Sequence, residues 1–328
     1  MLSRIGKWAR GHAERIDPFT NVVGAARSIL ALASAITLAA NPTWILFHQV
    51  QGIERVPRCD GLRALGPFCV APSDHLEVAR WLAVAALLVV ASGWRPRITG
   101  MVHFWIAFGV QSTATIVDGG DQVASILAML LLPVTLLDGR RWHWQSAERR
   151  PMIGWEPSRR VIALASLLLI RLQVAGIYWH AAQGKSVAVE WDDGTALYYW
   201  LTSSEFGAPP WLQPLLHPLL LTGVTVAFMT WGIIVLEFLL SAGLLVSRTK
   251  RAPLLAAGIA LHVGIILVHG LVSFGLIMVA ALILFLRPVD MELGIARSLS
   301  KVSLRGRRAI WRRGPVAATT ECALDPTS

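Results

Sequence analysis

The residues best suited to chemistry lie in one stretch, Tyr178-Trp179-His180-Ala181-Ala182-Gln183-Gly184-Lys185, followed closely by Glu190-Trp191. Lys185 closes a long apolar run, and between Arg160 and Arg248 the only Lys or Arg residues are Arg171 and Lys185. Desolvation among aromatics and apolar helix disfavours a charged ammonium, and a neutral lysine is a base or a nucleophile. Ionisable groups at membrane depth are functional candidates by default. The same lysine also fits a plainer role, a side chain that snorkels its head to the lipid headgroups.

Two further polar sets accompany it. Arg171, Glu237 and His262 each fall about ten residues into an apolar run, hence about 15 Å deep. An unpaired charge there costs several kcal/mol, so the three are expected to face one another or a wet cavity. Either an Arg–Glu pair braces two helices, with His262 as hydrogen-bond partner, or the three form a path for a proton or ligand through a transporter. The second set, His180, Lys185, Glu190, His217 and His269, lies at the ends of apolar runs, with Asp118-Gly119-Gly120-Asp121-Gln122 as a tight turn rich in helix caps. The segment 190–216 holds Tyr198, Tyr199, Trp200 and Trp211, ring types that favour a membrane interface and could also roof a flat, quinone-like ligand over Lys185.

These residues must be positioned by helices in a membrane. The chain is 55% hydrophobic and 15% charged over 328 residues, against roughly a quarter charged in soluble domains. Its apolar residues fall in blocks of about 20, the length that spans a bilayer as helix. The fold class expected is an all-α polytopic membrane protein with about eight spans. They cover 22–48, 77–93, 100–117, 122–137, 161–182, 219–246, 253–269 and 272–286. The net charge of +10 sits between the apolar blocks, which fits the positive-inside rule and argues against nucleic acid. Arg95 and Arg97, the run from Arg140 to Arg160, and Arg248, Lys250 and Arg251 mark one side. Both termini are then cytoplasmic and Lys185 faces outside.

Three segments follow from this pattern: a basic amphipathic lead (1–21), a membrane domain (22–288) and a basic tail (289–328) expected to be disordered near anionic lipid. Cys59 and Cys69 share an outer loop, where oxidising conditions make a disulfide plausible, whereas Cys322 lies in the tail. No cysteine spacing suits a metal, and no metal site is expected.

The stretch from Tyr178 to Lys185 with Glu190-Trp191, and His262 followed by Ser273-Phe274-Gly275, resembles the horizontally transferred transmembrane (HTTM) domain family, which includes vitamin K-dependent gamma-glutamyl carboxylase. The likeness runs from about Asp17 to Pro288. It implies that Lys185 is a base toward a reduced quinone of vitamin K type, with His180 or His269 as proton relay and His262 as a further catalytic residue on the family's histidine helix. It further implies that Tyr178, Trp179, Glu190, Trp191, Tyr199 and Trp200 line the substrate or cofactor site. A more specific likeness is to the bacterial sporulation-delaying-protein-B-like branch. That likeness is carried by 94–100 (Trp94-Arg95-Pro96-Arg97-Ile98-Thr99-Gly100), Gly119-Gly120-Asp121-Gln122, Trp142-His143-Trp144, the run from Gly194 to Trp200, and the cysteine pair. This branch implies maturation of a secreted antimicrobial peptide, with the peptide precursor, a small accessory protein and membrane lipids as partners. Toxin-binding immunity or scaffolding is the remaining alternative. The chain departs from the carboxylase in lacking a large soluble domain after the last span and in carrying Gly119-Gly120-Asp121-Gln122 where the carboxylase has a histidine.

Overall fold

The computed structural model describes residues 2–52, 56–146 and 151–294. In chain order the helices are α1 (Leu2–Arg15), α2 (Asn21–Ala40), α3 (Thr43–Leu46), α4 (Pro67–Val70), α5 (Leu76–Ser92), α6 (Pro96–Thr113) and α7 (Gly119–Leu137). They continue with α8 (Glu156–Ser186), α9 (Val189–Asp192), α10 (Ala196–Thr202), α11 (Gln213–Leu220), α12 (Gly223–Ser241), α13 (Arg248–His269) and α14 (Val272–Leu286). Among the described residues no strand forms beyond an isolated bridge between Trp94 and Trp142.

Among the described residues six helical stretches are long and apolar enough to cross a membrane: 21–40, 73–92, 119–137, 156–186, 223–244 and 248–269. Helices α6 and α14 fall where two further spans are expected, but α14 has only 15 residues, about 22 Å of helix against a hydrocarbon core of about 30 Å.

Several boundaries differ from the sequence expectation for local reasons. The first span ends at Ala40, not His48, because Asn41 precedes Pro42 and a residue before proline is pushed out of the helical region. The sixth breaks in two: α11 ends at Leu220, and Thr222 caps the start of α12 by accepting from the Thr225 amide. Helix α6 begins four residues earlier than expected, with Pro96 in its first turn, where the missing N–H costs nothing. Helix α8 is longer than expected at both ends, 31 residues from Glu156 to Ser186. The basic tail from residue 295, with Cys322, lies outside the described residues.

Helix α14 is apolar all round and takes the centre, packing on α2, α7, α8 and α13. Ile277, Ala280, Ala281 and Phe285 meet Leu30, Leu127, Leu131, Ile170 and Val174 in one core. A second core joins α2, α5 and α6 through Leu38, Leu87, Val90, Ile106 and Phe68. Lipid tails are as apolar as leucine, so close packing rather than escape from water holds these helices together. Gly120 shows this: a Cβ there would sit 2.9 Å from the Phe274 Cα, so only glycine lets α7 approach α14 this closely.

The two ends of the bundle differ. At one end Cys59 and Cys69 form a disulfide. At the other, arginines knit the helix termini: Glu156 binds Arg159 at 2.8 Å and Arg160 at 3.0 Å, and Arg160 reaches Asp17 at 3.1 Å. The stretches Trp94-Arg95 and Trp142-His143-Trp144 zip together there, with Arg95 N donating to Arg141 O (2.7 Å) and His143 N to Gly93 O (3.0 Å).

Candidate functional site

Residues Arg171, Tyr178 and Lys185 recur every seven positions along α8 and so share one helix face. Lys185 occupies the last turn, where a cation complements the helix dipole. Its Nζ donates to both oxygens of Glu237 on α12, at 2.9 Å each, and lies 5.3 Å from the Trp191 ring centroid, within cation–π range. Two turns earlier Tyr178 Oη lies 2.8 Å from His262 Nε2 on α13, and both residues are buried. His262 Nδ1 is buried with no partner among the described residues, an orphan of the kind that a ligand group can satisfy. Phe274 on α14 meets the same imidazole edge-on at 5.8 Å.

These groups line one cavity of about 1000 Å³, bounded by α7, α8, α12, α13 and α14 at the disulfide end of the bundle. Its depth follows from α8: Leu169 and Lys185 both line it, sixteen residues or about 24 Å apart along the helix. The walls are mostly apolar (Val123, Ile126, Leu130, Ile177, Ile265, Met278), with Gln122 and Gln173 as further polar groups. The connector after α8 forms the roof through Trp191, Leu197, Trp200 and Phe206. It is clamped to α12: Leu197 N donates to Thr230 Oγ1 (3.3 Å) and Trp231 Nε1 to Asp192 O (3.2 Å). Gly194, at φ +80°, makes this clamp fit, since a Cβ there would lie 2.8 Å from the Ala227 Cβ. His269 Nδ1 lies 2.6 Å from Phe206 O, which ties the roof to α13. A basic amine, a carboxylate, a phenol and an imidazole thus converge on an apolar, aromatic-roofed space, a set able to bind an amphipathic ligand and move a proton.

The structure brings Lys185, His180, His262, His269, Tyr178, Trp191 and Trp200 onto this cavity. It leaves others outside the lining. Trp179 is half exposed and packs edge-on against Phe238 (5.6 Å) on the outward side of α8. Glu190 and His217 are exposed, and Tyr199 stacks edge-on with Tyr198 at 5.7 Å.

Of Arg171, Glu237 and His262, expected to face one another or a wet cavity, the structure puts Glu237 and His262 on this cavity and leaves Arg171 outside its lining. Glu237 takes Lys185 as its partner, while Arg171 Nε donates to Leu284 O (3.4 Å) in the last turn of α14. Residue counting gives depth but not partners: Arg171 stands midway along α8, and its neighbour is set by where the short helix α14 ends beside it. The Lys185–Glu237 pair was not foreseen; its one sequence signal is the seven-residue recurrence of Arg171, Tyr178 and Lys185. Among the described residues no cluster of His, Cys, Asp and Glu suits a metal ion.

No family model and no solved structure matches the chain. Two proteins of Bacillus subtilis (strain 168) are similar over most of its length. The uncharacterised protein YitO is 37% identical over 292 residues, 88% of this chain and 92% of that protein. Sporulation-delaying protein SdpB is 35% identical over 286 residues, 86% of each.

Proposed function

The chain belongs to the family of SdpB and YitO, and from that premise we propose that it is a membrane-embedded maturation factor for a secreted peptide of the sporulation-delaying type. The cavity carrying Lys185–Glu237 and Tyr178–His262 is the observation that supports an active rather than a purely scaffolding role. In this reading the bundle crosses the membrane eight times, α6 and α14 included. Both termini are cytoplasmic, the disulfide end faces outside, and the peptide meets the cavity there. The arginine-rich connectors at the opposite end support that orientation. The precursor peptide and a small accessory protein are the partners.

A reduced quinone is the cofactor class that fits. The cavity is large and apolar enough for a flat ring between Trp191 and Trp200, and with the Tyr178 hydroxyl donating to Nε2 the orphan His262 Nδ1 would carry the proton and donate to a ring oxygen. When bound, such a group would supply an oxidisable hydroquinone. The chain's own residues hold the proton: Lys185 is fixed by two hydrogen bonds from its Nζ to Glu237, so a proton leaving Nζ passes to a carboxylate oxygen 2.9 Å away. Tyr178 fixes the imidazole of His262 and with it the direction of the free Nδ1. The roof covers this pair in part, leaving the Lys185 side chain 25% exposed and that of Glu237 9%.

Mass spectrometry of the peptide secreted by cells with and without the gene tests the proposal. Mature peptide is expected only in its presence. Identical secreted peptide in both strains, with altered survival, would make the protein an immunity factor instead.

A further inference from the structure

A second crevice, of about 250 Å³, opens toward the arginine-rich end and shares no lining residue with the Lys185 cavity, though Leu168 and Arg171 of the one and Leu169 and Leu172 of the other are neighbours on α8. It lies between α1, α8, the first turn of α13 and the segment 288–290. Its walls are apolar, with Ile16 from the lead and Val161, Leu164 and Leu168 from α8. Three arginines, Arg171, Arg248 and Arg251, line it with a single acid, Asp290, giving an excess of two positive charges. Arg248 reaches Asp290 at 3.3 Å while 60% exposed, a loose surface pair that does little to neutralise the site. Arg251 is held by the carbonyls of Val246 (3.0 Å) and Leu244 (3.2 Å), and Arg171 by that of Leu284 (3.4 Å). Two of the three cations are thus placed by backbone contacts that leave their charge uncompensated. Trp8 is 70% exposed at the mouth and stacks on His12 (5.5 Å), presenting a ring type that anchors at membrane interfaces.

An apolar slot capped by arginines matches one molecule shape: an acyl chain joined to an anionic phosphate. The planar guanidinium fork binds phosphate oxygens in pairs, and Arg248 and Arg251 stand in the first turn of the membrane-length helix α13, where a span meets the headgroups. We propose that this crevice binds one anionic phospholipid, its phosphate at Arg171, Arg248 and Arg251 and an acyl chain along α8 under α1. The excess positive charge selects against zwitterionic lipid. The bound lipid then mortars the lead helix to the bundle, which explains why α1 touches the bundle mainly through α8. The proposal is independent of what the Lys185 cavity does.

The test is native mass spectrometry and thermal unfolding of the full chain in detergent, with phosphatidylglycerol, phosphatidylcholine or inorganic phosphate added. One equivalent of phosphatidylglycerol is expected to stay bound and to raise the melting temperature, with phosphatidylcholine and phosphate giving no shift. Arg171→Gln combined with Arg248→Gln should weaken retention at least about tenfold, the loss expected for charge-assisted phosphate contacts. Ala165→Trp, at an exposed alanine on the α8 wall, fills the slot without touching a charge and should abolish retention while the protein remains monodisperse. Equal retention of both lipids, unchanged retention in either variant, or an equal shift with phosphate alone would overturn the proposal.

Discussion

Two buried polar clusters sit at opposite ends of this bundle, and they differ in what surrounds them. At the arginine-rich end Arg27 is 2% exposed, donates to Thr99 Oγ1 (2.5 Å), and has two guanidinium nitrogens without partners among the described residues. His143 wedges between α2 and α5, with Nε2 3.1 Å from Ser28 Oγ. Arg140 and Asp138 close the cluster at 2.7 Å. The void beside them is about 10 Å³, the size of one water site. At the disulfide end the Lys185–Glu237 and Tyr178–His262 pairs face about 1000 Å³. Buried charge costs free energy in both places. Where it is packed tight it locks helix ends together; where it faces a cavity it is free to meet a ligand. The space around the groups, more than their residue types, separates bracing from chemistry.

This contrast predicts that substitutions at the two ends fail differently. Glu237→Gln keeps a hydrogen-bond acceptor for Lys185 but removes the proton-accepting carboxylate. Mature peptide per folded molecule is expected to fall about 100-fold, the scale of lost acid–base catalysis, with only a small change in melting temperature. Wild-type yield from that variant would demote the pair to a brace. Gly93→Ala should do the reverse. Gly93 has φ +86°, and a Cβ would lie 2.4 Å from the His143 ring, so stability should drop by about 2 kcal/mol or more while activity per folded molecule stays intact. Thermal unfolding in detergent, paired with the peptide assay, measures both. Tyr178→Phe deletes one hydroxyl and frees the His262 imidazole; a loss of about tenfold in mature peptide is expected if His262 orientation matters.

The smallest effect concerns pH. Burial, reinforced by the positive charges of Arg27 and Arg140, pushes His143 down to about 3 from its ordinary 6.5. The folded protein therefore keeps this imidazole neutral where the unfolded chain protonates it. The stability it contributes is complete above about pH 6.5 and is lost as pH falls toward 3, by at most about 1.4 kcal/mol per pH unit. His143→Gln should flatten the acid limb of the melting-temperature profile, and an unchanged limb would mean that other groups set the acid sensitivity.

Much of this architecture is legible in the residues. Runs such as 122–137 and 272–286 announce helix by length and apolarity, and α7 and α14 follow them closely. Trp142-His143-Trp144 is visible as a motif, but its pairing with Gly93 and Arg95 depends on two helix ends meeting and has no local signal. Pairing was the weak point. Counting residues along apolar runs places Arg171 and Glu237 at one depth but does not say what each will meet, and Arg171, midway along α8, meets the end of α14. The partner of Lys185 was hidden for the same reason: which carboxylate it meets is set by where α12 crosses α8. Roof residues such as Phe206, which offers a backbone carbonyl to His269, carry no mark in the sequence at all.

The central claim is that peptide maturation depends on the Lys185 end and not on the charged groups of the arginine-rich end. Mass spectrometry of the secreted peptide from cells expressing wild-type, Lys185→Ala or Arg171→Ala protein at matched membrane levels tests it most directly. The account predicts precursor without mature peptide for Lys185→Ala and normal maturation for Arg171→Ala. Normal maturation with Lys185→Ala, or equal loss in both variants, would contradict it.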